Sequence, residues 1–127
     1  MLDFLKFLWV GPCTLFGCFL GCISDAEHWE FEEVHYFYGG FLGVFLWIPF
    51  VGRVPALAMG SCVLARTSLD LSTWHKHELA HVRQYKKWGL LLPFAYFLSS
   101  LYCVLSRKDP YNDNYFEREA FAVSDPR

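Results

Sequence analysis

The chain has 127 residues, enough for one packed core and a single site but too few for a separate substrate-binding module. Hydrophobic residues make up 54% and aromatic residues 20%, against 19% charged, so part of the apolar surface is expected to meet lipid or a partner. Eleven Lys and Arg, scattered along the chain, stand against thirteen Asp and Glu for a formal charge of −2, a pattern that excludes a nucleic-acid-binding protein.

From Phe4 to Ile23 the sequence is apolar except for Lys6 and Thr14, long enough to span a bilayer but with Gly11-Pro12 inside it to kink or break a helix. Residues 1–24 are therefore expected to form a membrane-anchor or re-entrant segment, with a cleaved leader as the competing reading, and residues 25–127 a single folded domain. Membrane association rests mainly on residues 4–23; the side of the membrane is left open, and a cytoplasmic location is the alternative. The five cysteines (Cys13, Cys18, Cys22, Cys62 and Cys103) include no C-x-x-C pair and read as small apolar thiols.

Asp25 to Glu33 is polar and acidic and reads as a linker, with His28 and His35 as ordinary histidines. Val34–Tyr38, Gly39-Gly40 and Phe41–Phe50 have the pattern of a hairpin turning at the glycines. Ala56–Ala65 reads as a further strand, and Ser72 or Thr73 as the cap of a helix spanning Trp74–Trp88 and stopped by Gly89. Gly89–Leu105 is apolar again, with Pro93 early in it. The polar tail from Ser106 holds a short helical pattern at Tyr115–Ala120.

The chemistry concentrates in His77-Glu78-Leu79-Ala80-His81. In a helix, residues i and i+4 project from one face, so His77 and His81 can reach one ion while Glu78 faces the open coordination position. Zinc is the metal that two imidazoles and a carboxylate favour, and Glu78 is the candidate general base. A third ligand is available downstream in Glu117 or Glu119. His75, two positions before His77, points to another side of the helix and reads as structural, while Arg83, Lys86 and Lys87 read as a solvated face.

H-E-L-A-H followed by E-x-E-A resembles the gluzincin class of zinc metallopeptidases, whose second motif often reads E-x-x-A-D. The string His77, Gln84, Trp88, Gly89, Asn114, Phe116, Glu117, Arg118, Glu119 and Ala120 is similar to small zinc peptidases of bacteria. The resemblance implies Glu117 as third ligand, a zinc cofactor, and a peptide or protein substrate cleaved by a zinc-activated water with Glu78 as base. The chain departs from the pattern at Phe121, where the class carries an aspartate that orients a ligating histidine, so Glu119 or Asp125 is the candidate replacement. No histidine follows Glu117, which leaves Tyr115, Arg118 and Tyr111 as candidate stabilisers of a developing oxyanion. The alternative is a non-catalytic zinc-binding interaction protein, and a third reading is a membrane protein with an accidental motif.

A simple crossing by Leu90–Leu105 would put His77 and His81 on one side of the bilayer and Glu117 on the other. The segment is therefore expected to pack in the core or lie in the membrane interface, with Tyr96, Tyr102, Ser99 and Ser100 giving it a polar edge. The expected fold class is α+β: an apolar N-terminal helix, a small antiparallel sheet over roughly residues 33–65, the metal helix, an apolar helix and a short C-terminal helix carrying Glu117. The open edge of that sheet beside the metal helix is suited to an extended peptide.

Overall fold

The computed structural model of the chain describes residues 2–127, so Met1 of the N-terminal segment lies outside the described residues. α1 (Leu2–Ile23) is one helix that continues through Pro12. The proline sits on the exposed side, where the hydrogen bond it removes is not lost from the core. On the inner side, Gly17 approaches Met59 and Cys62, and Gly21 approaches Phe37, so closely that a Cβ at either would collide. Small residues thus seat α1 on a sheet, and its outward side chains, among them Leu15, Phe16 and Phe19, stay exposed.

The acidic stretch expected as a linker is a strand. β1 (Glu27–Phe31) pairs antiparallel with β2 (Val34–Tyr38) around Glu32-Glu33, both at positive φ (51° and 65°). Two-residue hairpin turns usually take Asn or Gly at such positions, so the sequence carried no turn signal there. Gly39-Gly40 is not the hairpin turn. Gly40 packs against the backbone of Ser24 and Asp25, and the chain passes into the short α2 (Leu42–Phe45). A separate small hairpin follows, β3 (Trp47–Ile48) with β4 (Gly52–Arg53).

Ala56–Ala65 is two strands, β5 (Ala56–Met59) and β6 (Cys62–Ala65), reversing at Gly60 (φ 64°) close against Thr14 of α1. Thr14 Oγ1 accepts the Ser61 N–H at 2.8 Å and ties the turn to the helix. The sheet order is β1-β2-β6-β5, antiparallel at both outer junctions and parallel between β2 and β6. Period-two alternation splits its core. Phe37, Cys62 and Leu64 pack with Leu42, Leu46 and partly buried α1 side chains. Tyr36, Ala56, Ala58, Val63 and Ala65 pack with Leu71, Val82 and Tyr85 of the next helix.

That helix, α3 (Ser68–Trp88), begins earlier than the sequence suggests. Thr67 is its cap, accepting the Asp70 N–H on Oγ1 at 3.0 Å, a bond worth about 1 kcal/mol, and Ser72 and Thr73 lie inside the first turns. Gly89 ends α3 at φ 58°, with Trp9 of α1 occupying the space a Cβ would need. A single 3-10 turn, Gly89–Leu91, leads into α4 (Leu92–Leu105), and α5 (Tyr115–Val123) closes the fold with Asn114 as its cap. The architecture is α+β as expected.

Residues 68–105 form a nearly continuous helical stretch. Among the described residues it is the one helix long and apolar enough to cross a membrane by length and composition. Its apolar half is not core: in α4 only Leu92, Ser100 and Cys103 are buried, and Phe94, Leu98, Tyr102 and Leu105 are well exposed. α5 returns to pack on α3, so the chain does not pass simply from one side of α4 to the other. The five cysteines are free thiols; Cys13, Cys62 and Cys103 are buried, Cys18 is half-buried and Cys22 is exposed.

Candidate metal centre

His77 and His81 occupy successive turns of α3 on the face turned toward α5, and Glu117 stands in the first turn of α5. All three are buried, at 0%, 7% and 3% exposure. His77 Nε2 lies 3.0 Å from Glu117 Oε2, and His81 Nε2 lies 3.0 Å from Glu117 Oε1. One donor atom from each residue falls within 4.8 Å of the others. Neighbouring donors about 2.0–2.1 Å from a tetrahedral ion would sit about 3.3 Å apart, so the trio has the size of a metal site.

The remaining hydrogen bonds fix which nitrogen is offered. His77 Nδ1 is 3.2 Å from the Ser124 carbonyl oxygen, which can only accept, so Nδ1 keeps its hydrogen and Nε2 is the atom left able to ligate. His81 Nδ1 is 2.8 Å from Gln84 Oε1. Gln84 Nε2 donates to the Phe116 carbonyl at 2.9 Å and to Glu119 at 3.0 Å, which orients the amide with its oxygen toward His81. Tyr96 donates its hydroxyl hydrogen to Glu117 Oε1 at 2.9 Å. No buried side-chain nitrogen or oxygen among the described residues lacks a partner.

Charge follows the same geometry. Burial works against ionising either member of the His81–Glu117 pair, but each outweighs that penalty for the other: the carboxylate raises His81 and the imidazoles lower Glu117. A metal ion held by His81 and Glu117 would supply the positive charge that the proton between them supplies otherwise. Burial pushes the Glu78 carboxyl up, opposed by His81, His77 and the Ala58 N–H and reinforced by Glu117. A proton acceptor raised toward neutral is what general-base chemistry needs.

Glu78, His81 and Glu117 reach a cavity of about 500 Å³ between β5, the β3–β4 hairpin, α3 and α4. Tyr96 and Tyr111 line it as well, and most of the rest of its wall is apolar. β5 is one of the two edges of the sheet, β1 being the other, and it is the edge beside the cavity. The Arg66 N–H donates to the Pro55 carbonyl, so Pro55, Leu57 and Met59 are the positions bonded to β6, and Ala56 and Ala58 turn their backbone groups to the free edge beside the cavity.

Other residues singled out by sequence fall elsewhere. Tyr115 and Arg118 are exposed, and neither lines the cavity. Of the three candidate stabilisers only Tyr111 does. Glu119 acts one step removed from the metal ligands, through Gln84. Asp125 pairs with Arg127 at 2.7 Å and makes no hydrogen bond to either histidine. The orienting bond expected from an aspartate at position 121 is made by the Ser124 carbonyl, while the Phe121 ring packs on His77 with centroids 4.3 Å apart. His75 is bonded to Tyr36 at 3.0 Å, away from the ligands, and Arg83, Lys86 and Lys87 are exposed.

Sequence reasoning picked out Gln84 and Tyr96 but not their part as partners of the candidate ligands, and it missed the Ser124 carbonyl. Gln84 had a signal, since it lies three residues after His81 on the same helix face. So did Tyr96, which forms a polar stripe with Ser99 and Ser100 on an otherwise apolar helix; Ser100 accepts from Asn114 at 2.8 Å and docks α4 on the start of α5. A backbone carbonyl has none.

No protein-family model matches the chain, and neither does any curated protein or solved structure. What fold and geometry define together is an α+β protein with a buried centre, His77, His81 and Glu117, able to hold a metal ion.

Proposed function

We propose that the protein is a zinc-dependent peptidase of gluzincin type that hydrolyses peptide bonds in the cavity between β5 and α4. The observation that carries this reading is that Glu78, two of the three candidate ligands and an open strand edge all border the same cavity. Two imidazole nitrogens and a carboxylate suit zinc, which when bound supplies a Lewis acid and a water acidified toward neutral pH.

The chain's own groups then divide the work. An extended substrate pairs with the backbone of Ala56 and the carbonyl of Ala58, whose N–H is held by Glu78, and this directs its scissile carbonyl toward the ligands. Glu78 takes the proton of the attacking water and passes it to the leaving amine. The Tyr111 hydroxyl, in the cavity wall, is the candidate hydrogen-bond donor to the developing oxyanion, with Tyr96 orienting Glu117. α1 provides the attachment to a membrane through the apolar side chains it turns outward.

The test is Glu78→Gln in the zinc-loaded chain. Zinc content should stay at about one per chain while cleavage of a susceptible peptide drops by roughly 10²–10⁴-fold. Unchanged cleavage with zinc still bound would remove Glu78 from the mechanism.

A second reading, zinc as a structural clamp without catalysis, is favoured by one observation. The ligands come from two helices, α3 and α5, so an ion would cross-link them, while Tyr115 and Arg118 stand outside the cavity. It predicts that chelation lowers the melting temperature strongly and that the wild-type protein cleaves no peptide.

A further inference from the structure

The cavity opens among exposed apolar side chains. Trp47 (59% exposed), Phe94 (69%) and Phe97 (42%) all line it, and the ring of Phe50 at the tip of the β3–β4 hairpin lies 5.4 Å from that of Phe97, centroid to centroid. The apolar surface extends from there along α4. Leu91, Leu98 and Leu105 follow at seven-residue spacing, which places them on one helical stripe, and they are 55%, 61% and 76% exposed. At the base of α4 the surface joins α1, where Trp9 packs on Gly89 and Phe4, Leu5, Phe7 and Leu8 are exposed. Monomeric soluble proteins rarely leave a continuous apolar surface of this extent uncovered.

Charge on the surrounding segments is one-sided. Residues 79–108 contain Arg83, Lys86, Lys87, Arg107 and Lys108 and no acidic residue, and residues 42–59 contain Arg53 alone. Ten of the thirteen acids lie elsewhere, in residues 25–33 and 109–125; Asp70 and Glu78 are on α3, and Asp3, with Lys6 one turn on, is the one acid in the first half of α1. Lysines and arginines that precede and follow α4 in the sequence, with Lys108 Nζ 5.8 Å from the exposed Tyr102 ring, match a bilayer interface with anionic headgroups, where the apolar side chains enter the acyl boundary and the cations remain at the phosphates. A partner protein would not require the cations to be segregated from the acids in this way.

We infer that the surface formed by the β3–β4 hairpin, α4 and the N-terminal half of α1 docks on an anionic lipid surface, with the mouth of the cavity turned into the interface, so that its substrates are apolar peptide segments held at that surface. The substrate half of this inference rests on the peptidase reading; the docking half does not. Docking along the surface also keeps α3 and α5 on the same side of the bilayer, as the shared centre requires.

The experiment uses the zinc-loaded full chain in two measurements. The first is co-flotation with phosphatidylcholine vesicles that contain or lack phosphatidylglycerol. The chain should float with the mixed vesicles, less with phosphatidylcholine alone, and Leu91→Ser/Leu98→Ser/Leu105→Ser should reduce binding by more than about ten-fold with zinc content unchanged. The second compares an apolar quenched peptide carrying a palmitoyl anchor on those vesicles with the same peptide free in solution; the anchored form should be cleaved faster by about ten-fold or more, and the triple variant should lose that advantage. A chain that cleaves the free peptide but floats with neither vesicle overturns the docking and leaves the peptidase reading intact. A chain that floats but cleaves neither peptide overturns the substrate assignment and the peptidase reading while docking stands. A chain that is dimeric in solution and ignores vesicles assigns the surface to a second copy and overturns the inference.

Discussion

The interior between α3 and α5 and the outer side of α1 and α4 are built on opposite terms. In the interior, polar groups are buried and nearly every one has an assigned partner: His77 with Ser124, His81 with Gln84, Gln84 with Phe116 and Glu119, Glu117 with Tyr96. On the outside, Phe7, Phe16, Phe94 and Leu105 are half or more exposed and have no hydrogen bonding to arrange. A buried polar group left without a partner costs about 1–3 kcal/mol, so the interior is specified atom by atom. An exposed apolar side chain carries no such directional demand, and its arrangement is fixed only by what it eventually meets.

The contrast can be broken most severely at the ligands. His77→Ala with His81→Ala should take metal content from about one ion per chain to none, read by elemental analysis, and should abolish the rise in melting temperature that added zinc gives the wild type. Retention of the ion in that double variant would place the metal elsewhere. Gln84→Ala leaves all three ligands but frees His81 to turn, and zinc affinity measured by competition with a chelator should weaken by about 10–100-fold. Tyr96→Phe removes one hydrogen bond to Glu117 and keeps the ring, so the same titration should move by about ten-fold or less. On the outer side the effect on folding should nearly vanish. Leu98→Ser should change the unfolding free energy by no more than about 0.5 kcal/mol in denaturant titrations, and a larger loss would mean that α4 is covered within the folded chain.

The same division governs what the sequence disclosed. His77, His81 and Glu117 were legible because a helical period and a carboxylate downstream suffice to bring three side chains to one point. α3 and α5 were legible in outline because Gly89 stops the one, and the Tyr115–Ala120 pattern marks the other. β1 was hidden: its five residues are all exposed and rich in acids, and its turn uses two glutamates at positive φ where glycine or asparagine would have announced it. Gly39-Gly40 misled for a related reason, since Gly40 serves a close approach to the end of α1 and Gly39 a positive-φ step in open space. The start of α3 was missed because Thr67 caps through Asp70, several residues before the apolar periodicity of Trp74–Trp88. Partners of the ligands were the least legible. One is a carbonyl, and the aspartate expected at position 121 has been replaced by a ring that packs on the imidazole it would have bonded.

His77 and Glu117 are 40 residues apart, and Glu117 lies in α5, which follows the sheet, α3 and α4 in the sequence. At about 5–20 residues per second, synthesis of that interval takes about 2–8 seconds. Through that time the nascent chain displays two imidazoles, a glutamate beside them and no third ligand. Metal acquired early could be held only by those two imidazoles and whatever donor happened to be near. The order of the helices thus delays assembly of the centre until α1, the sheet, α3 and α4 have been made.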